Sequence, residues 1–170
     1  ALSSGEEIEA KVVVSNLDVR KTFLGITDAK DLPAEFVRQV RNYKSRGVSS
    51  KLNFALDGLP HFPAIPPEIF AWGGDLHFTE TLEEMERGYD GWKAGKWSKR
   101  PYVDMMIPSL LDPTVAPPGK HMMTVFAQSP PPVLAEGEWD DANRNAFAQT
   151  VIDRIAESSP NFKDLILHVD

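Results

Sequence analysis

Residues 107–128 read IPSLLDPTVAPPGKHMMTVFAQ, two apolar segments separated by a turn. Asp112-Pro113 and Pro117-Pro118-Gly119 interrupt regular structure, because proline lacks an N–H group and fixes its own φ angle. The pattern predicts a strand over about 102–109 and an antiparallel strand over 121–128. Neither face of the second strand is strongly polar, which predicts a central strand covered on both sides.

Four methionines surround this turn. Met105 and Met106 precede it, and Met122 and Met123 follow it. Methionine fills irregular gaps in a core and also adapts to varied apolar ligands. The residues alone therefore leave two interpretations open: ordinary core, or the wall of a pocket for an apolar ligand.

The elements before the hairpin follow from hydrophobic periodicity. Three consecutive valines at 12–14 predict a buried strand over Ile8–Ser15. Apolar residues at helical spacing after Pro33 predict a helix over 33–46. Strict alternation over Leu52–Leu56 predicts a half-buried antiparallel strand, and a further short strand is expected at Asp75–Phe78.

The remaining elements complete an α+β pattern. Thr81 and Glu84 form a capping box that begins a helix with Leu82, Met85, Tyr89 and Trp92 as its buried stripe. Asp140 or Asp141 caps a last helix with Phe147, Val151 and Ile155 on one face, and Lys163–Val169 predicts a final strand. These elements predict an antiparallel or mixed sheet with helices packed on one face.

Composition narrows the classes of function. The 170 residues carry a net charge of −7, which argues against a nucleic-acid-binding surface. No run of about 18 apolar residues exists, so no transmembrane segment is expected. The absence of cysteine excludes disulfides, cysteine-ligated zinc and thiol catalysis. It fits a reducing compartment, so we expect a cytoplasmic location, or a mitochondrial one if the source is eukaryotic.

No motif in the chain carries chemistry by itself. None of the four histidines lies within four residues of another, so no metal site is predicted. The acidic clusters Glu83-Glu84-Glu86 and Asp140-Asp141 occur at helix starts, where negative charge is favourable without any catalytic role. Nucleophile-elbow, Walker and GxGxxG motifs are absent. The basic aromatic run 92–100 is interpreted as a solvated helix exit, and no catalytic residue is predicted.

Several segments together nevertheless resemble a known family. They are VVVSNLDVRKTFLGI, KLNFALDGLPHFP, the Gly73-Gly74 turn with its following strand, MIPSLLDPTVAPPGKHMMTVFAQ, WDDANRNAFAQTVIDRI and SSPNFKDLILHVD. In this order they resemble the phytoene-dehydrogenase-like family of FAD-dependent oxidoreductases, in a branch other than the carotenoid desaturases themselves. SLLDPTVAPPGKHMM is the most distinctive part. The resemblance covers nearly the whole chain.

This resemblance implies a fold, and it implies that cofactor and substrate are bound by different domains. The chain is expected to be a piece of a larger protein, its fold resembling the inserted substrate domain of amine-oxidase-like flavoproteins. Residues 1–18 would border a flavin-binding domain that this sequence lacks, and residues 19–170 would be the substrate-binding portion. FAD is expected in the full-length protein. This portion, without GxGxxG, is expected neither to hold FAD tightly nor to catalyse a reaction.

The resemblance also implies partners and site residues. A small apolar or partly apolar substrate and the flavin-binding domain of the same chain would be the partners. Ser15 and Asn16 are predicted to lie beside the cofactor. The predicted substrate-lining residues are Phe54, Met106, Met123 and Phe126. Either face of each strand remains open as the ligand side.

A different class of function fits the same residues. The chain can instead be a freestanding ligand-binding or protein-interaction module without redox activity. Exposed sheet edges and the proline-rich segments 59–67 and 130–132 would then serve partners, including a second copy in a homodimer.

Overall fold

Two units of packing divide the chain after Ser45 in the computed structural model, which describes residues 2, 4–71 and 73–170. The first unit contains a π-helical segment at Lys21–Ile26, a 3-10 turn at Ala29–Asp31 and helix α1 at Ala34–Asn42. Helix α1 confirms the helix predicted over 33–46, although it ends earlier. The rings of Phe23 and Phe36 meet edge to face with centroids 4.9 Å apart.

The strand predicted over Ile8–Ser15 is wrong. This segment has no regular structure, and Val14 is 91% exposed, with Val12 and Val13 nearly as open. A β-branched run forms a strand only where a neighbour completes the hydrogen-bond ladder. Among the described residues, none pairs with this segment. The expected boundary with a flavin-binding domain near residue 18 stays a prediction.

The second unit, Arg46–Asp170, is built on a five-stranded sheet. All four pairings are antiparallel, and the spatial order is β2-β3-β4-β1-β5. The α+β fold with an antiparallel sheet is therefore confirmed, as is the central position of the strand at 121–128. The strands are β1 (Ser49–Leu56), β2 (Leu76–Phe78), β3 (Tyr102–Met106), β4 (His121–Gln128) and β5 (Ile166–Val169).

This unit also contains the short helix α2 (Pro67–Phe70), helix α3 (Leu82–Lys93) and helix α4 (Asp141–Ala156). The Asp140 side chain accepts a 2.8 Å hydrogen bond from the Asn143 N–H and caps α4, as predicted. The buried core joins one face of the sheet to α4; it includes Leu52, Phe54, Leu56, Val103, Met105, Met123, Val125, Phe147, Val151, Ile155 and Phe162.

Helix α3 is capped as predicted but packs differently. The Thr81 hydroxyl accepts a 3.1 Å hydrogen bond from the Glu84 N–H. The predicted buried stripe is wrong: Leu82 is 81% exposed, and Met85 and Tyr89 are also exposed. Gly88 is the buried residue of this helix. The buried position of this helix is thus a residue without a side chain, while Leu82, Met85 and Tyr89 stay exposed.

Within the part of the chain that the structure describes, no helix is both long enough and apolar enough to cross a lipid bilayer.

A network of charges links the start of α3 to the end of α4. Arg100 donates to Glu84 at 2.6 Å, to Glu80 at 2.9 Å and to both carboxylate oxygens of Glu157 at 2.8 Å. Buried Arg154 donates to Glu157 at 2.6 Å and lies 3.7 Å from Glu84. Hydrogen bonds between two charged groups are stronger than those between neutral groups.

Glu84 makes the stability of this unit depend on pH. The backbone N–H of Glu80, first, and then the Arg100 guanidinium hold the pKa of the Glu84 carboxyl below its usual value. The unfolded chain therefore takes up this proton first as the pH falls. The stabilisation is complete above the ordinary carboxyl pKa and is lost as the pH falls through the lower pKa of the folded state.

We expect Glu84→Gln to lower the free energy of unfolding at pH 7 by about 1–3 kcal/mol, because charge-assisted bonds are lost. The difference from the original chain should shrink as the pH falls from 7 towards 3, since glutamine does not titrate. Urea unfolding across this range measures it. Glu86→Gln, on the exposed side of the same helix, controls for charge alone. A difference that is constant with pH would contradict the assignment.

Candidate functional site

The face of the sheet opposite α4, here called the open face, carries the side chains that alternate with the core. Cross-strand partners share a face, so the register places Asp104 beside Phe126 and Met106 beside Thr124. Met106 is 38% exposed and Phe126 is 45% exposed. The open face comprises Lys51, Asn53, Ala55, His77, Tyr102, Asp104, Met106, Met122, Thr124, Phe126 and Gln128.

The four predicted substrate-lining residues divide between the two faces. Met106 and Phe126 lie on the open face, whereas Phe54 and Met123 are opposite each other in the ladder and are buried in the core. One pocket cannot present all four, because successive residues of a strand point to opposite faces. The prediction that β4 is covered on both sides is wrong, since Phe126 lies exposed on the second face.

A shallow groove of about 370 Å³ lies at one end of the open face, where β4 begins and β5 pairs with β1. Its floor includes Ala55 and Met122, and its wall is the segment 115–117 of the hairpin turn. The Asp112 side chain accepts a 2.9 Å hydrogen bond from the Thr114 N–H. It thereby caps the 3-10 turn Pro113–Val115, which forms part of this wall. The prolines of the turn therefore shape one side of an apolar groove.

A polar cluster lies at the β2–β3 end of the open face. His77 stands directly opposite Asp104 in the ladder, and the Tyr102 hydroxyl shares a hydrogen bond with Nδ1 of His77. Asp75, His77 and Asp104 each present a ligand atom, and these three atoms lie within 4.8 Å of one another. Burial, first, and then the charges of Asp104 and Asp75 raise the pKa of the Tyr102 hydroxyl.

Sequence reasoning missed this cluster because it depends on strand pairing. Asp75 and His77 are two residues apart, as are Tyr102 and Asp104, which is the spacing of side chains on one face of a strand. That spacing was visible in the sequence. The adjacency of β2 and β3, with His77 opposite Asp104, was not.

His121, at the start of β4, has a structural environment. Its Nδ1 shares a 2.9 Å hydrogen bond with the Ser109 hydroxyl, and that hydroxyl also accepts the Met122 N–H at 3.2 Å. Burial lowers the pKa of the His121 imidazole and so favours its neutral form. These bonds hold the turn to the start of β4.

The described residues do not fit FAD by themselves. A dinucleotide site needs a glycine turn that leads from a strand into a helix N-terminus. Gly73-Gly74 leads instead into strand β2. Ser15 and Asn16 are exposed in the first unit, where the Ser15 hydroxyl shares a 2.9 Å hydrogen bond with that of Thr22. Their predicted place beside a cofactor stays a prediction.

Comparison with known proteins relates the chain to part of a larger one. No protein-family model matches the sequence. Two curated relatives, from Mus musculus and Rattus norvegicus, are both named pyridine nucleotide-disulfide oxidoreductase domain-containing protein 2, and each is 35% identical over 177 aligned residues. The alignment covers 99% of this chain but only 30% of each relative. Over nearly its whole length, the chain is thus similar to one part of an oxidoreductase-domain protein.

Proposed function

We propose that this chain is the substrate-binding portion of an FAD-dependent oxidoreductase of the phytoene-dehydrogenase-like kind, acting on an apolar or partly apolar substrate. The observation that carries the proposal is the open face, where Met106 and Phe126 are exposed on a sheet whose other face is core. The groove on the same face is lined by Ala55 and Met122, and Met106 and Phe126 lie outside its lining. Similarity to an oxidoreductase-domain protein supports the redox part of the proposal.

The open face combines the two properties that such a substrate requires. Exposed apolar side chains and a shallow concavity favour binding of an apolar body. The polar cluster at the other end suits a substrate that carries one polar group. Beneath this surface, the buried Phe54 and Met123 give the sheet a rigid support, so the ligand side chains are held by packed backbone.

In this proposal, FAD is held by the rest of a longer protein and supplies the redox chemistry when bound. The residues of this chain orient the substrate and exclude water from it. Ser15 and Asn16 remain our proposed neighbours of the flavin-binding portion. No residue of the described chain is assigned a proton or electron transfer.

Phe126→Ala tests the open face as the ligand side. We expect it to weaken binding of a fluorescent polyene fatty acid, cis-parinaric acid, by about fivefold to tenfold, or roughly 1–1.4 kcal/mol. The free energy of unfolding should change by less than about 1 kcal/mol, because the ring is already 45% exposed. Fluorescence titration of the 170-residue chain and urea unfolding measure the two quantities.

Leu82→Ala provides the control, since it removes an exposed apolar side chain from α3. If Phe126→Ala and Met106→Ala both leave binding unchanged, or if Leu82→Ala weakens it equally, the open face is not the ligand side.

A longer protein that contains this segment tests the redox part. We expect it to purify yellow, with a flavin absorbance spectrum, while the 170-residue chain titrated with FAD shows no tight complex. A folded longer protein that is colourless and still binds the polyene would instead favour a ligand-binding module without redox activity.

A further inference from the structure

We propose that Asp75, His77 and Asp104 form a binding site for a divalent transition-metal ion, with Tyr102 as the positioning residue for His77. The sequence had favoured no metal site, because no two histidines are close along the chain. The sheet brings the three ligands together from two strands that are joined by more than 20 residues.

The geometry is close to that of a coordination sphere. One ligand atom from each residue lies within 4.8 Å of the other two. Nitrogen and oxygen ligands bind such ions at about 2.0–2.2 Å. In an occupied site, two ligand atoms are therefore at most about 4.4 Å apart, slightly closer together than they are here. The short movement needed falls on side chains, since Asp75 and His77 are exposed and only Asp104 is half-buried.

Charge also favours a cation at this place. Carboxylate oxygens of Asp75 and Asp104 lie within 4.8 Å of each other here. Among the described residues, neither Asp75 nor Asp104 takes part in a salt bridge, whereas Glu80, Glu84 and Glu157 all pair with Arg100. A bound cation would supply the missing positive charge.

The hydrogen bond between His77 and Tyr102 matches the usual second contact of a metal-binding histidine. Such a histidine engages a partner with its other ring nitrogen, which fixes the tautomer and the ring orientation. In the tautomer whose Nδ1–H donates to the Tyr102 hydroxyl oxygen, Nε2 of His77 keeps the lone pair that binds a metal. Tyr102 and Asp104 lie on the same strand, so ligand and positioning residue share one rigid element.

The donor set indicates the class of ion. Magnesium and calcium prefer sites made only of oxygen atoms, whereas an imidazole with two carboxylates suits zinc, manganese or iron. Three protein ligands leave at least one coordination position open to solvent. The site lies on the open face, but its existence does not require the proposed apolar substrate.

Calorimetric titration of the tag-free 170-residue chain with Zn²⁺ at pH 7 tests the proposal. We expect one ion per chain, and much weaker binding of Mg²⁺. His77→Ala should abolish saturable binding, and Asp75→Asn or Asp104→Asn should weaken it by at least about tenfold. Tyr102→Phe should weaken it by about tenfold, the usual effect of losing a histidine's second partner.

His168→Ala is the matched control, because His168 is an exposed histidine opposite Ala55 at the far side of the sheet. It should leave the affinity unchanged. Circular dichroism of each variant confirms folding, and NMR line broadening by Mn²⁺ should be strongest at His77. Absence of zinc binding in the original chain, binding that survives His77→Ala, or an equal loss in His168→Ala would each overturn the proposal. None of these outcomes depends on the polyene assay, so the two proposals fail separately.

Discussion

Phe54→Ala is expected to lower the free energy of unfolding by about 3–5 kcal/mol, as is typical of a buried phenylalanine. The Phe54 side chain is 1% exposed and meets the ring of Phe162 at a centroid distance of 5.5 Å, inclined by 62°. Its loss removes this contact and leaves a cavity in the core that rigid neighbours cannot fill. Urea or guanidinium unfolding of the 170-residue chain measures the effect.

Phe126→Ala is the matched control for this experiment. Both rings belong to neighbouring strands of one sheet, but Phe126 lies on the open face. We expect Phe54→Ala to lose stability and Phe126→Ala to lose ligand binding. If the two substitutions cost the same stability, the assignment of core and open faces is wrong.

Gly95→Ala is expected to be destabilising by about 2–4 kcal/mol. Gly95 has a φ of +72°, and a Cβ there would lie 2.7 Å from the backbone nitrogen of Ala135. The left-handed conformation costs a non-glycine residue about 1–2 kcal/mol. The clash adds to this cost, because it pushes away the N–H that donates a 2.9 Å hydrogen bond to the Gly95 carbonyl. Thermal or urea unfolding measures the loss.

Gly119→Ala separates these two causes. Gly119 has nearly the same φ, +76°, but nothing lies within 4 Å of a Cβ built there. It should therefore cost only the conformational term, about 1–2 kcal/mol. Equal losses for the two glycines would show that the contact with Ala135 contributes nothing.

The basic aromatic run at 92–100 contains Gly95, and it packs against the same loop that Gly95 contacts at Ala135. The sequence predicted a solvated helix exit, but Trp97 is half-buried and stacks on Trp139 at 5.5 Å. Trp139 in turn donates a 2.8 Å hydrogen bond to the Pro131 carbonyl. Trp97 thus helps to hold the loop before α4 against the core, while the lysines of the run are exposed.

Hydrophobic periodicity predicted correctly those elements whose pattern buries its apolar side chains in only one arrangement. Alternation in β1 places its core face correctly, because a shift of one residue would expose every apolar side chain. The turn residues before β4 predicted where that strand begins, but not which of its faces is core. The same reasoning failed for the valines at 12–14 and for the stripe of α3. An apolar run indicates that burial against another segment is favourable, but it does not show that the described chain contains that segment.

The α+β class, the hairpin at 107–128 and the two helix caps thus followed from the residues themselves, since they depend on neighbours in the chain. The candidate site did not. Its exposed pair Met106 and Phe126, and the meeting of His77 with Asp104, depend on which strands are adjacent and which face α4 covers. Strand order and helix placement are set by the long-range contacts of the whole core, and the sequence of a single strand does not determine them.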